Sequence, residues 1–280
     1  MEKLYVVATP IGNLEDLTLR ALRILKEADF IACEDTRHTG TLLRHFQIEK
    51  PLFSCHQHNE KQRTKKILSL LSDGKKVAFV SDAGTPGISD PGAVLVRAVL
   101  NAGGEIEPIP GASAVTAALS ASGFPADQFL FEGFLPAKAS ARKSRLQKMA
   151  EERHTLVFYE APHRLLDTLA DMNVLFNSRQ ACVVRELTKI HEEFVHGSIE
   201  ELLENFKNRP SIKGECVLIL EGFSGEKEWG QTAEEEAHKL ISEGLSQKEA
   251  AKQVAQQRGL STRAIYQALL KKNFSSTKSP

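Results

Sequence analysis

Between Ser81 and Gly92 the chain reads SDAGTPGISDPG, directly after the apolar run Val77–Val80. Three glycines, two prolines and two aspartates in twelve residues resist both helix and strand and leave a loop. Glycine-rich loops after a buried strand commonly cradle phosphate. Here, however, no lysine or arginine occurs from Ser81 to Val96. A loop that exposes a carboxylate and carbonyls without a cation suits hydroxyls, amines or a positive centre, and it repels phosphate. Asp82 is the residue for that role, because it comes directly off the strand, where ligand sites form in open parallel sheets. The plainer reading is that Asp82 braces the turn. Asp90-Pro91-Gly92, ahead of the apolar run Ala93–Val99, predicts Asp90 as a helix N-cap and Pro91 as the first helical residue.

Three other loops have the same small-residue character: ATPIGN (Ala8–Asn13), PGASA (Pro110–Ala114) and YEAPHR (Tyr159–Arg164). All follow strand-like runs, and a set of such loops on one edge argues for a site better than any one of them. A second, polar group lies in CEDTRHTG (Cys33–Gly40) and HQHNE (His56–Glu60), with Glu34, Asp35, Arg37, His56, His58 and Glu60. VVRELTKIHEEF adds Arg185, Glu186 and Lys189 from the second half. Any one of these reads as a solvated loop or a cap; together on a strand edge they could line a cleft with acid–base capacity.

Cys55, His56 and His58 invite a metal site. A strand would turn Cys55 and His56 to opposite faces, and no second Cys/His cluster completes four ligands, so no metal is expected. Cys33, Cys182 and Cys216 sit in apolar runs and read as buried free thiols.

These loops need elements to hold them. Strand-like runs at Leu4–Ala8, Phe30–Cys33, Lys76–Ser81 and Glu105–Ile109 alternate with helical stretches at Thr18–Ala28, Thr39–Phe46, Asn59–Ser72 and Ala93–Ala102. Ala112–Ser122 adds a further helix. Repeated β-α-β with near-continuous apolar strands predicts a mostly parallel sheet covered on both faces. The pattern breaks at Gly123-Phe-Pro125 and restarts with strands at Phe129–Phe134, Thr155–Tyr159, Ala181–Arg185, Glu192–His196 and Glu215–Glu221. Helices at Ser140–Glu151, Arg164–Asp171 and Ile199–Phe206 lie between them. The expected architecture is therefore two consecutive α/β domains (1–122 and 123–222) with a ligand cleft between them, the second mixed in strand direction.

A linker (223–230) leads to a polar helical domain (231–280). Capping boxes stand at Thr232/Glu235 and Ser246/Glu249, and a helix-turn-helix-like pair turns at Gly259, its second helix opened by Ser261. Ala250, Ala251, Val254, Ile265 and Leu269 supply its apolar stripe. Such a tail contacts nucleic acid or only packs, since small three-helix bundles share the spacing.

Composition narrows the function classes. With 41% hydrophobic and 26% charged residues the chain is an ordinary soluble one. Basic and acidic residues both number 36, so nucleic-acid binding must rest on local patches. Two exist: KASARKSRLQK (Lys138–Lys148), with no acidic residue, and Lys61–Lys66. Each also reads as a solvated helix face. The N-terminal apolar run is too short for a signal peptide and no stretch approaches a membrane span, so a cytoplasmic location is expected. No G-x-G-x-x-G opens a helix after a strand, and neither G-x-x-x-x-G-K-[ST] nor G-x-S-x-G occurs. A dinucleotide enzyme, an ordinary NTPase and an α/β-hydrolase thereby lose their signatures.

SDAGTPGISDPG, ACEDTRHT, HNE, PGASA, FYEAPHR and RELTK, in this order, resemble the motifs of the bacterial small-subunit ribosomal RNA (cytidine-2′-O)-methyltransferases. That family belongs to the tetrapyrrole-methylase, or class III S-adenosylmethionine, fold group. The likeness runs from about residue 3 to 221, and the tail is similar to one found in many members. The resemblance implies S-adenosylmethionine in the cleft, a homodimer, and ribose methylation of small-subunit (16S) ribosomal RNA, free or in the assembled subunit. It also accounts for the missing cation, because this cofactor carries a sulfonium and no phosphate. The resemblance further implies that Asp82, Ala83, Gly84, Thr85 and Pro86 should contact the cofactor, with Pro10, Ile11 and Gly12, with Ser113 and Ala114, and with Tyr159, Glu160 and Ala161 aligned with the other cofactor loops. A hydroxyl nucleophile calls for a base, with Glu34, His58 or Glu186 as candidates. Arg37 or Lys189 would hold phosphate or developing charge. Carbon methylation of a corrinoid or porphyrin precursor is the alternative with the same cofactor. A nucleic-acid-binding regulator that senses a small molecule is the alternative from another class.

Overall fold

The computed structural model of the protein describes residues 1–176, 179–224, 233–258, 261–263, 265–267 and 269. They fall into two compact units that divide after Phe223.

The first unit holds two five-stranded sheets. Sheet one is built from β1 (Leu4–Val7), α1 (Leu19–Glu27), β2 (Phe30–Cys33), α2 (Thr36–His45), β3 (Leu52–Ser54), α3 (Glu60–Ser72), β4 (Val77–Val80), α4 (Ala93–Asn101) and β5 (Ile106–Ile109). Its order is β3-β2-β4-β1-β5 and every pair is parallel. The period-2 alternation of side chains explains why both faces are covered. Ala78 and Val80 join Ile31 and Cys33 against α1 and α2, whereas Val77 and Phe79 join Ala32 against α3 and α4. The expected parallel sheet is thus present. The three-residue edge strand β3 was not expected, being too short to show alternation.

The ends of these helices are set locally. Thr18 accepts the Ala21 amide at 3.1 Å and caps α1, and Asp35 accepts the Arg37 amide at 2.8 Å and caps α2. This cap starts α2 three residues earlier than the sequence pattern suggested.

Helix α4 corrects the sequence reading. Its N-cap is Gly92, at φ +136°, and Pro91 lies outside the helix. The capping carboxylate comes from α3: Glu60 Oε1 accepts the Gly92 and Leu95 amides at 3.0 and 3.1 Å, in a buried setting. Asp90 is therefore not the cap. Gly92 is required here, since a Cβ would lie 2.7 Å from the Phe79 ring.

Helix α5 (Ala114–Ser122) crosses to sheet two, where Val115, Ala118 and Leu119 pack on Val157, Cys182, Val184, Val217 and Ile219. That sheet comprises β6 (Phe129–Phe134), α6 (Ala139–Gln147), β7 (Thr155–Glu160), α7 (Leu165–Phe176), β8 (Gln180–Arg185), β9 (Glu193–Ser198), α8 (Ile199–Lys207) and β10 (Cys216–Leu220). The order is β6-β7-β10-β8-β9, with β6 parallel to β7 and the other pairs antiparallel. Leu156, Phe158, Val183 and Leu218 face α6, α7 and α8 in the larger core. The mixed direction is as expected.

In the second unit, which contains α9 (Ala233–Ser242) and α10 (Gln247–Arg258), the expected stripe of Ala250, Ala251, Val254, Ile265 and Leu269 forms a core that also takes in Ala237 of α9. Ser246 and Glu249 form their capping box at α10, with the Glu249 amide donating to the Ser246 hydroxyl at 3.3 Å and Ser246 Oγ to the carboxylate at 2.6 Å. Thr232, Gly259 and most of the linker lie outside the described residues.

Candidate functional site

Strands β1, β2 and β4 end at one edge of sheet one, and β7 and β8 end at the neighbouring edge of sheet two. Strand β10 runs antiparallel to both, so its beginning, not its end, reaches that same edge. Between the two edges lies a cavity of about 400 Å³, within the usual size range for a small-molecule site.

The loop after β4 is pinned to the one after β1. Thr9 and Gly84 exchange backbone hydrogen bonds at 2.9 and 3.0 Å, and the Thr9 hydroxyl donates to the Ser81 carbonyl at 3.2 Å. Thr85 Oγ1 donates to the Ala112 carbonyl at 3.3 Å, which ties in the loop after β5. From the other side, the loop after β8 closes on Gly12: a Cβ there would come within 2.6 Å of the Lys189 side chain. Left-handed backbone at the non-glycine residues Ser89, Glu186 and Thr188 (φ 61°, 52° and 66°) clusters around this edge. Such strain persists where the surroundings over-determine it, often at functional sites.

The wall is acidic. Glu34, Asp82, Asp90, Glu160, Glu186 and Glu215 line it, against one cationic side chain among the described residues, Lys189. Lys189 Nζ is already paired with Glu186 at 2.9 Å and lies 3.8 Å from Glu215. Glu160 is 1% exposed and structurally committed: it accepts from the Thr168 hydroxyl at 2.6 Å and the Ala161 amide at 2.9 Å, and it pairs with Arg164. Asp82 Oδ1 accepts the Asp35 amide at 3.0 Å, so it braces a neighbouring turn and also faces the cavity.

Burial, and then the Asp82 carboxylate, push the Glu34 carboxyl up, partly offset by His56. Asp90 rises to about 6, first through burial and then through Glu34, against a hydrogen bond from Ser81; Asp82 and Glu215 add to the rise. Burial and the same Asp90 push Tyr159 up to about 12. Phe131 and Phe134 meet the Tyr159 ring at 4.9 and 5.5 Å and form an aromatic corner, with Phe134 and Tyr159 on the wall.

Of the residues singled out from sequence, Ile11, Asp82, Ala83, Gly84, Thr85, Ser113, Ala114, Tyr159, Glu160, Ala161, Glu34, Glu186 and Lys189 lie on the cavity wall. Pro10 and Pro86 are buried behind it, and Gly12 packs on the Lys189 loop. Two candidates lie elsewhere. The Arg37 side chain is 90% exposed and held by Asp35 in two hydrogen bonds of 3.1 and 2.7 Å. His58 is exposed, with its ring 6.0 Å from that of His56.

The wall also contains residues that sequence reasoning passed over, chiefly Asp90, Phe134 and Glu215. Asp90 was hidden by its resemblance to a helix cap. Glu215 was hidden because strand direction in a mixed sheet is not written in a local pattern.

All four cysteines are buried and free, with Cys33 and Cys55 pushed up to about 11 and Cys182 and Cys216 to about 12, mainly by burial. Among the described residues no group of three or more His, Cys, Asp or Glu side chains is placed to hold a metal ion, and no helix is long and apolar enough to cross a membrane.

A family model described as tetrapyrrole (corrin/porphyrin) methylases matches residues 3–203. Curated relatives share the name ribosomal RNA small subunit methyltransferase I. The one from Synechocystis sp. is 48% identical, covering 95% of this chain and 97% of its own. The one from Pseudomonas aeruginosa is 47% identical, covering 96% and 97%. Among solved structures, the methyltransferase CobJ aligns with a TM-score of 0.61 at 19% identity, over 79% of this chain and 95% of that one. Uroporphyrin-III C-methyltransferase from Thermus thermophilus, complexed with S-adenosylhomocysteine, aligns with a TM-score of 0.56 at 21% identity, over 78% and 97%. These structural likenesses carry the fold.

Proposed function

The chain belongs to the tetrapyrrole (corrin/porphyrin) methylases, and on that premise we propose that it transfers the methyl group of S-adenosylmethionine to the ribose 2′-oxygen of a cytidine in small-subunit ribosomal RNA. The observation that carries the reading is the acidic cavity, whose lysine is already paired, in a chain nearly half identical over its length to ribosomal RNA methyltransferases. Such a wall fits a cation and disfavours a phosphate-bearing cofactor.

The residues present fit the group. Asp82 and the backbone of Ala83–Thr85 would hold its polar parts, and the Tyr159–Phe134 corner would pack against its adenine. When bound, the cofactor supplies an electrophilic methyl carbon on a sulfonium. The chain's own task is largely positioning, which contributes about 7–11 kcal/mol in favourable cases. The hydroxyl proton needs an acceptor on the wall, where Glu34, Asp90 and Glu186 stand. The helical second unit is assigned RNA contact, and a cytoplasmic homodimer belongs to the same reading.

The test uses the purified full-length protein with methyl-labelled S-adenosylmethionine and small ribosomal subunits from cells lacking the gene. Label on a cytidine 2′-oxygen is the expected result. Transfer to a tetrapyrrole precursor and not to RNA would overturn the proposal.

A further inference from the structure

Glu34 is the first residue beyond β2, and β2 lies between β3 and β4 in sheet one. Cys33 pairs with Val80 on one side and with Ser54 on the other. Glu34 therefore leaves the sheet between the Ser81–Asp82 turn and the Cys55–His56 turn. The next residue is anchored too: the Asp35 amide donates to Asp82 Oδ1 at 3.0 Å, and Asp35 caps α2. The Glu34 backbone is thus fixed from both directions. Its half-buried side chain reaches the cavity wall and, among the described residues, makes no hydrogen bond or ion pair.

A second unmatched group stands on the adjacent turn. Asn59 Oδ1 accepts the His56 backbone amide at 2.9 Å, which turns the Asn59 amide nitrogen onto His56 Nε2 at 3.0 Å. With Nε2 accepting, the ring proton sits on Nδ1. Nδ1 is buried and has no partner among the described residues. A buried donor left unpaired costs about 1–3 kcal/mol, and such a cost in a native fold points to a functional site. Of the groups around Glu34, His56 favours its charge, whereas burial and Asp82 oppose it. Asp90 is near enough to be raised by that charge in turn.

The other wall carboxylates are placed differently. Asp82 and Asp90 stand on the glycine-rich loop after β4, whose Asp82–Thr85 stretch the reading above gives to the cofactor. Glu160 is bound to Thr168 and Arg164, and Glu186 to Lys189 at 2.9 Å. The Glu215 side chain is 82% exposed and lies 3.8 Å from the same lysine. Among the described wall residues, Glu34 is the half-buried, unpaired carboxylate that a different loop carries.

We propose that Glu34 is the catalytic residue that accepts the proton of the attacking ribose hydroxyl, an inference that rests on the methyl-transfer reading above. The ribose oxygen bonds to the methyl carbon as the carbon–sulfur bond breaks and its electron pair stays on sulfur. The hydroxyl proton passes to the Glu34 carboxylate and from there to water after the product leaves. Neighbouring strands divide the work: β4 carries the loop for the cofactor, and β2 carries the base. A base must be ionised to act, and His56 supports that form. Burial beside Asp82 raises the proton affinity of Glu34 above that of an ordinary carboxylate, which strengthens it as a base.

The test compares wild type, Glu34→Gln and Glu34→Asp, all full-length, in single-turnover methylation of small subunits at saturating S-adenosylmethionine. Affinity for S-adenosylhomocysteine is measured alongside by calorimetry, and folding by melting curves. Glu34→Gln should slow transfer about a hundredfold, leave that affinity within about twofold and keep the fold, because the amide matches the carboxylate in shape. Glu34→Asp, which keeps the charge, should transfer at least about tenfold faster than Glu34→Gln. A Glu34→Gln rate less than about tenfold below wild type would overturn the proposal. So would loss of the fold, or a parallel loss of affinity and rate, which makes Glu34 a structural or a binding residue. Glu34→Asp no faster than Glu34→Gln would overturn it as well, since shape and not charge would then matter. In each of those cases wild type still methylates ribose. A wild type that modifies no ribose overturns the underlying reading instead, and is thereby told apart.

Discussion

Helix α6 and the cavity wall each gather charge of one sign, and the fold deals with them in opposite ways. In α6 the sequence KASARKSRLQK becomes mostly paired. Arg142, 4% exposed, donates to Asp171 at 2.7 Å, Lys143 reaches the same carboxylate at 3.4 Å, and Arg145 binds Glu132 at 2.6 Å. Of that basic stretch, Lys138 and Lys148 stand exposed without an ion pair among the described residues. At the wall, Asp82, Asp90 and Glu34 converge with no cation of their own. Charge counted along a sequence is therefore not charge available to a partner. The apparent basic patch is largely paired within the fold, and the loop with only two acids presents unpaired charge to the cavity.

Breaking the paired side should have the largest effect. Arg142→Ala leaves the buried Asp171 carboxylate with only Lys143 beside it, and should destabilise the protein by about 3 kcal/mol, measured by denaturant unfolding. A cost below about 1 kcal/mol would mean that the pair is not what anchors α6 to α7.

On the unpaired side the sign reverses. The Asp90 carboxyl is raised in the folded protein above its ordinary 3.8, so its contribution to stability is full below that pH and is lost as pH rises through about 6. Asp90→Asn removes the loss. The variant should be more stable than wild type at pH 7.5 by on the order of 1 kcal/mol, discounted because the side chain is only half-buried. The gap should close near pH 4. Melting curves at the two pH values check this, and a variant less stable at pH 7.5 would restore Asp90 to the role of helix cap.

The smallest effect belongs to the exposed remainder of α6. Lys138→Gln with Lys148→Gln should lower affinity for small subunits by no more than about threefold at physiological salt, because the other basic side chains of the stretch are already held in ion pairs and no continuous phosphate-tracking face remains. A tenfold loss or more, seen in a filter-binding titration, would make α6 a principal RNA surface.

These regions also mark what the sequence discloses. Strands such as Phe30–Cys33 and Phe129–Phe134 were readable to the residue, because apolar β-branched and aromatic runs between turn signals have few other fates. So was the edge of small-residue loops, whose glycines and prolines encode backbone shape directly. Partnership across the fold was not readable. Glu60 caps a helix that begins 33 residues later, Arg142 finds Asp171 from 29 residues away, and Glu215 reaches the wall through the direction of β10. Each depends on which elements become neighbours, and no local pattern carries that information. The same limit made Asp90 look like a cap, since the carboxylate that does the capping comes from another helix.

The central claim is that the unpaired acids of the cavity are there for a cationic methyl donor. The most direct measurement is calorimetric binding of S-adenosylmethionine to wild type and to Asp82→Asn, in which the amide oxygen can still accept from the Asp35 amide while the charge is gone. The account predicts binding to wild type and affinity weakened by about tenfold in the variant, or about 1.4 kcal/mol. Equal affinities in the two proteins would contradict it and leave Asp82 a brace for the turn at Asp35.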